Sequence, residues 1–285
     1  MHIVVCIKQV PDSAQIRVHP VTNTIMRQGV PAIINPYDLY ALEAALALRD
    51  ELGGEVTALT MGPATAEDSL RKALTYGVDR AVLLTDRYFA GSDTLATSYA
   101  LATAIAKIGS MWGAPSLVFT GKQTIDGDTA QVGPGIAKRL KLTQLTYVSS
   151  IREVDPKRGT LIVERRAEGG TQVLSSRMPA LITILDGEKS IRRGRMDDAL
   201  RAARAVVVRW SAADAGIEDL QKCGLKGSPT IVKKVYAPSA RAEQAELVGK
   251  LSPSPEACAT DLIEAIFARK PELWTSLSGA ARVGT

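Results

Sequence analysis

Ser116-Leu-Val-Phe-Thr120, then Gly121-Lys-Gln-Thr-Ile-Asp-Gly-Asp-Thr-Ala-Gln-Val-Gly-Pro-Gly135, then Ile136-Ala-Lys-Arg-Leu140 reads as a buried strand, a small-residue loop and a helix. A loop that leaves a strand and opens a helix suits a phosphate. Its amides can line the turn, and the helix N-terminus carries partial positive charge. The stretch therefore predicts a nucleotide or dinucleotide site at the carboxyl end of a strand. Gly121-Lys122 is followed by Gln123, and no glycine lies five positions upstream, so this is not a P-loop. Gly133-Pro-Gly135 lacks the third glycine of the dinucleotide fingerprint, and Pro134 has no amide to donate. By composition alone the loop also fits an ordinary strand–helix turn.

The same unit repeats upstream. His2-Ile-Val-Val-Cys-Ile-Lys8 is a β-branched strand. Asn35-Pro-Tyr-Asp38 opens a helix, with Asn35 as N-cap, Pro36 at the first position and Asp38 favouring the helix dipole. That helix stops near Gly53-Gly54. Glu55–Met61 is a second strand, followed by a helix capped by Thr65 with Asp68 three residues on. Arg80–Thr85 is a third strand, followed by a helix opened at Gly91-Ser-Asp93 and running to about Ile108. Four strand–helix units with short links predict an α/β fold with a parallel sheet and helices on both faces. Ligands in such sheets bind outside the carboxyl ends of the strands. The candidate site is therefore built from Cys6 and Lys8 on the first strand end and Met61 on the second. Asp93, Thr94, Thr97 and Ser98 come from the third helix, and Asn35, Tyr37 and Asp38 from the first. The loop supplies Gly121, Lys122, Gln123, Asp126, Gly127, Asp128, Thr129, Ala130, Gln131 and Val132.

After residue 145 the pattern changes. Tyr147–Val154, Thr160–Arg166 and Thr171–Arg177 read as antiparallel strands joined by turns at Lys157-Arg-Gly159 and Glu168-Gly-Gly170. Ala180–Leu185 is again an apolar strand. Ser190-Ile-Arg-Arg-Gly-Arg195 is a basic loop leading into a helix, with Arg192, Arg193 and Arg195 expected in solvent. From about Ala212 the chain is polar and proline-containing until an amphipathic helix over Leu262–Ala268. These changes divide the chain into a nucleotide-binding domain over 1–205 and a C-terminal extension over 206–285.

At 46% apolar residues the chain can bury a real core, which with three Phe and three Trp is mostly aliphatic. The net charge of +5 comes from dispersed basic residues, so the chain is not read as a nucleic-acid binder. It suits an acidic partner or a phosphate-bearing ligand. Cys6, Cys223 and Cys258 are far apart, which removes disulfide and zinc readings. His2 and His19 lack any catalytic context. No run approaches the ~20 apolar residues that span a membrane, so the chain is expected in the cytoplasm with reduced thiols.

Four segments in order resemble the beta subunit of electron-transfer flavoproteins. They are Val4-Val-Cys-Ile-Lys-Gln-Val-Pro11, Asn35-Pro-Tyr-Asp38 with Ala41-Leu-Glu-Ala-Ala45, Gly121-Lys-Gln-Thr-Ile-Asp126, and Val163-Glu-Arg-Arg-Ala-Glu-Gly-Gly-Thr-Gln-Val-Leu-Ser-Ser-Arg-Met-Pro-Ala-Leu-Ile-Thr183. Met1–Gln28, Gly91-Ser-Asp-Thr-Leu-Ala-Thr-Ser98 and Gly224-Leu-Lys-Gly-Ser-Pro-Thr-Ile-Val-Lys-Lys-Val235 are similar to the Fix-type branch, which serves nitrogen fixation. The resemblance implies a Rossmann-like sheet of the adenine nucleotide alpha hydrolase kind and a heterodimer with a FixB-like alpha subunit. The C-terminal tail would wrap that alpha subunit. It also implies a quinone oxidoreductase and a ferredoxin-like subunit as further partners, and through them association with a membrane.

In this family the beta-subunit site holds either structural AMP or, in electron-bifurcating members, a second FAD. Gly127-Asp-Thr-Ala130 is similar to the second kind, because small residues let a pyrophosphate approach the backbone. The resemblance then implies NADH as hydride donor, with electrons passing to quinone and to ferredoxin or flavodoxin. Met196 stands where ordinary members carry a partner-gripping leucine, but its basic neighbours differ, so the dehydrogenase partner is not carried over. Two other readings fit parts of the chain. They are a universal-stress-type nucleotide-binding domain, and an adenylating enzyme, which should carry an SGG-type loop where Lys8-Gln-Val-Pro-Asp12 stands.

Overall fold

The computed structural model describes residues 1–12, 17–18, 25–26, 31–186, 190–231 and 253–273. They form two compact units, over 1–237 and 238–285. In chain order the first unit carries β1 (His2–Cys6), β2 (Gln9–Pro11), β3 (Arg17–Val18), β4 (Ile25–Met26), β5 (Ala32–Ile34), α1 (Pro36–Leu52), β6 (Glu55–Met61), α2 (Glu67–Thr75), β7 (Arg80–Leu84), α3 (Thr94–Trp112) and β8 (Leu117–Gly121). It continues with α4 (Val132–Leu140), β9 (Thr143–Asp155), β10 (Thr160–Ala167), β11 (Gly170–Arg177), β12 (Ala180–Ile184), α5 (Met196–Arg204) and β13 (Val207–Trp210). In the second unit α6 (Pro255–Arg269) starts at Ser254, whose hydroxyl accepts the Ala257 amide at 3.2 Å. The 232–252 and 274–285 parts of the expected partner-wrapping tail lie outside the described residues.

One nine-stranded sheet runs in the order β11-β10-β9-β12-β8-β1-β6-β7-β13. The strands from β9 to β13 in that order pair in parallel, and β10 and β11 add an antiparallel edge. The α/β class with a parallel sheet and an antiparallel extension is therefore as the sequence predicts. The extension is not a separate layer. β9 begins at Thr143, four residues before the expected strand, and pairs in parallel with β12 from Thr143↔Ala180 onward. β13 joins the far edge beside β7, so the sheet passes the boundary placed at 205.

Side chains alternate across the sheet, as the period of a strand requires. Ile3 and Val5 face a core with Leu42 and Leu46 of α1, Leu70 and Leu74 of α2, and Ala202 of α5. Val4 and Cys6 face the opposite core, with Ile105 and Ile108 of α3 and Ile136 of α4. Each fully buried Leu or Ile contributes on the order of 1.5–3 kcal/mol.

Three local expectations are corrected. Thr65 does not cap a helix, because Ala64–Ala66 form a 3₁₀ turn and α2 starts at Glu67. α4 starts at Val132 rather than Ile136, since Pro134 in a first helical turn costs no hydrogen bond. Arg192 is not solvated. It donates to Glu43 from its backbone (3.0 Å) and from Nε (2.8 Å), and to Asp50 from Nη1 (2.7 Å), pinning the basic loop to α1. Arg193 and Arg195 are exposed. Among the described residues no helix is long and apolar enough to cross a membrane.

Candidate functional site

The carboxyl ends of β1, β6 and β8 meet the N-termini of α1, α3 and α4. Parallel pairing puts these strand ends on one side of the sheet, and Asp38 holds two of them. Its carboxylate, 4% exposed, accepts the Lys8 amide at 2.7 Å and the Gly121 amide at 3.1 Å. Burial pushes this carboxyl up to about 7, against the pull of the Asn35, Lys8 and Gly121 hydrogen bonds. Gly121 permits the approach, since a Cβ there would lie 2.5 Å from Asp38 Oδ1 and 2.7 Å from the Tyr37 backbone carbon.

Asn35 does not cap its own helix. It is fully buried; its Nδ2 donates to the Gln123 carbonyl at 2.9 Å and its Oδ1 accepts the Ile125 amide at 3.1 Å. Lys8 Nζ pairs with Asp126 at 2.7 Å, and Lys122 Nζ sits 4.8 Å over the Tyr37 ring. Burial alone would raise the Asp126 carboxyl, but Lys8 and Thr124 outweigh it and hold it below its ordinary value. The loop is thus tied down at its first half by Asn35, Asp38 and Lys8.

Its second half is open. Gln123 Nε2 donates to Asp128 at 2.6 Å, and residues 126–129 are exposed. Asp128 and Ala130 adopt left-handed backbone, with φ of 50° and 55°. A non-glycine residue held there is strained, and such strain persists where the surroundings over-determine it. Among the described residues the amides of Thr129, Ala130 and Gln131 find no partner in the chain. Those of Val132 and Gly133 open α4 and lack an i−4 carbonyl. Five amides without a partner in the chain thus stand at and just before the N-terminus of α4, an arrangement that suits an anion. Gly133 and Gly135 serve packing instead. A Cβ on Gly133 would come 2.8 Å from Thr120 Oγ1, and one on Gly135 2.7 Å from Ser98.

The α3 side is reached through Thr94, whose hydroxyl bonds the Gln131 side chain at 2.8 Å. Asp93 is the N-cap of α3, accepting the Leu95 and Ala96 amides at 2.9 and 3.0 Å. Thr97 is half-buried on the first turn. Ser98 packs against the start of α4. It is 1% exposed, donates to the Leu95 carbonyl at 2.9 Å and accepts Arg139 Nε at 3.2 Å. Met61 packs against the core, and Cys6 is part of it. Burial, with Asp38 adding to it, pushes the Cys6 thiol up to about 12. Cys223 is also raised, mainly by burial. Both thiols should resist iodoacetamide at pH 8 in the folded chain and react after unfolding, as peptide mass mapping would show; native labelling of Cys6 would contradict this packing.

Sequence reasoning missed Thr60, whose buried hydroxyl on β6 has no partner. It also missed Ser228 and Thr230, which bind the start of α3 across more than a hundred residues. No local signal marks either kind of residue.

Residues 22–215 match the family model described as an electron transfer flavoprotein domain. The chain is 72% identical over 282 residues to Protein FixA of Azorhizobium caulinodans, covering 99% of both chains. It is 59% identical over 274 residues to Protein FixA of Azotobacter vinelandii, covering 96% of this chain and 97% of the relative. It is 47% identical over 234 residues to the electron transfer flavoprotein subunit beta of Clostridium acetobutylicum, covering 82% of this chain and 87% of the relative.

Proposed function

This chain belongs to the electron transfer flavoprotein family as a beta-type subunit, and from that premise we propose that its crevice holds FAD in a heterodimer that serves nitrogen fixation. The partner is a FixB-like alpha subunit carrying its own flavin. The observation behind the cofactor assignment is the turn at Thr129–Gly133, where unpaired amides meet two left-handed residues and small side chains.

FAD bound there would supply hydride acceptance from NADH and the division of its two electrons, one toward quinone and one toward ferredoxin or flavodoxin. The chain's own residues bind and orient. The amides of Thr129–Gly133 hold the pyrophosphate, and Lys122 at the cleft offsets its charge, while Lys8 is paired with Asp126. Thr94 and Thr97 line the wall on the α3 side. Asn35 and Asp38 touch the loop rather than the ligand and keep its amides in place.

The alternative occupant is AMP, whose single phosphate the same amides also fit. Extraction of nucleotide from the purified heterodimer separates the two. The proposal expects two FAD and no AMP per heterodimer, with NADH bleaching the flavins in two distinguishable optical steps. One FAD and one AMP would overturn it.

A further inference from the structure

Asp93 has two carboxylate oxygens, and helix capping uses one. Oδ1 accepts the Leu95 and Ala96 amides. Oδ2 accepts the Thr230 amide at 3.1 Å and the Thr230 hydroxyl at 2.8 Å. The backbone returns the contact, since the Asp93 amide donates to Ser228 Oγ at 2.8 Å while that hydroxyl donates to the Gly224 carbonyl at 2.6 Å. Ser92 Oγ accepts the Gly224 amide at 3.1 Å. The fit is close on both sides: a Cβ on Gly224 would lie 2.4 Å from the Tyr88 carbonyl oxygen, and one on Gly91 2.6 Å from Leu225. Residues 224–230 are therefore interlocked with the turn that starts α3. Thr230 stands shortly before Pro238, where the second compact unit begins.

The Asp93 side chain joins the first turn of α3 to Thr230 directly, beside the Ser228 and Ser92 contacts. Thr94 follows Asp93 and reaches Gln131 at the open end of the loop. Four donors satisfy the Asp93 carboxylate and hold it below its ordinary value despite burial. We propose that Asp93 is a positioning residue that latches the Ser228–Thr230 segment to the first turn of α3, so that the C-terminal chain sets how firmly the Thr94 wall of the cleft is held. The cleft's occupancy by a cofactor rests on the function proposed above; the mechanical coupling does not.

The test uses the full-length heterodimer and hydrogen exchange, with FAD release followed by its fluorescence. Thr230→Val removes the hydroxyl donor and keeps the fold of the segment. Asp93→Ser keeps an N-cap acceptor but is too short to reach Thr230. Thr230→Ser keeps both bonds. Thr230→Val, which loses one charge-assisted hydrogen bond, is expected to speed exchange at amides 94–98 about tenfold, and Asp93→Ser, which loses both bonds to Thr230, by more than that. FAD release should accelerate in step, and Thr230→Ser should match the unaltered chain in both. Faster exchange confined to 224–231, with 94–98 unchanged, would overturn the latch and leave a local anchor. If the heterodimer yields AMP instead of FAD, the exchange measurement still decides the latch, and only the cofactor assignment falls.

Discussion

Gly121→Ala is expected to destabilise the chain by about 3 kcal/mol, near the top of the range for overpacking a tight interior. The added methyl would sit 2.5 Å from Asp38 Oδ1, 2.7 Å from the Tyr37 backbone carbon and 2.7 Å from Tyr37 Cβ. The nearest atoms belong to the first turn of α1, including its backbone, so no rotamer change relieves the clash. α1 must back away from β8. That movement also lengthens the 3.1 Å bond from the Gly121 amide to Asp38 and withdraws Asn35 from the loop it holds. Gly127 is the internal control. A Cβ there meets only Thr124 Oγ1 at 3.5 Å, so Gly127→Ala should stay within about 0.5 kcal/mol of the unaltered chain. Denaturant unfolding of the three proteins decides the matter, and equal midpoints for Gly121→Ala and Gly127→Ala would refute the close approach.

Asp38→Ala should cost about 2–4 kcal/mol at pH 5, because it leaves the buried Gly121 amide and the partly buried Lys8 amide without an acceptor. The more diagnostic feature is the pH dependence. The folded carboxyl lies at about 7, above its ordinary 3.8. Between those values the folded chain binds more proton than the unfolded chain, so its stability falls as pH rises. The contribution of Asp38 is thus fully present below pH 3.8 and is lost as pH climbs to about 7. Each unit of difference corresponds to about 1.4 kcal/mol. The alanine variant lacks this term, so its stability gap to the unaltered chain should narrow from pH 5 to pH 8. A gap that stays constant over that interval would mean the two amides outweigh burial and keep Asp38 ionised throughout.

The strand–helix repeat was legible because it is written in local composition. Runs such as Ile3-Val-Val5 and Leu117-Val-Phe119 are apolar on both faces and bounded by turn residues, as fully buried parallel strands must be. The small-residue loop was legible for the same reason. Asn35 was misread because Asn before Pro is a local cap signal, while the actual partners of its side chain are at Gln123 and Ile125. β13 escaped because four residues, two of them Arg209 and Trp210, carry no period that separates an edge strand from a linker. Arg192 in a run of arginines looks solvated until Glu43 and Asp50 of α1 are placed beside it.

By itself the chain determined its class, its strand-end crevice and the glycine-rich turn, since burial pattern and backbone permissiveness are properties of a few neighbouring residues. Which side chains hold that crevice was decided only by the fold. Asp38 between two strand tips, Asn35 under the loop and Asp93 against Thr230 are pairings across 30 to 137 residues. They arise because buried polar atoms must find partners wherever the packed sheet brings them, and no local spacing encodes that choice.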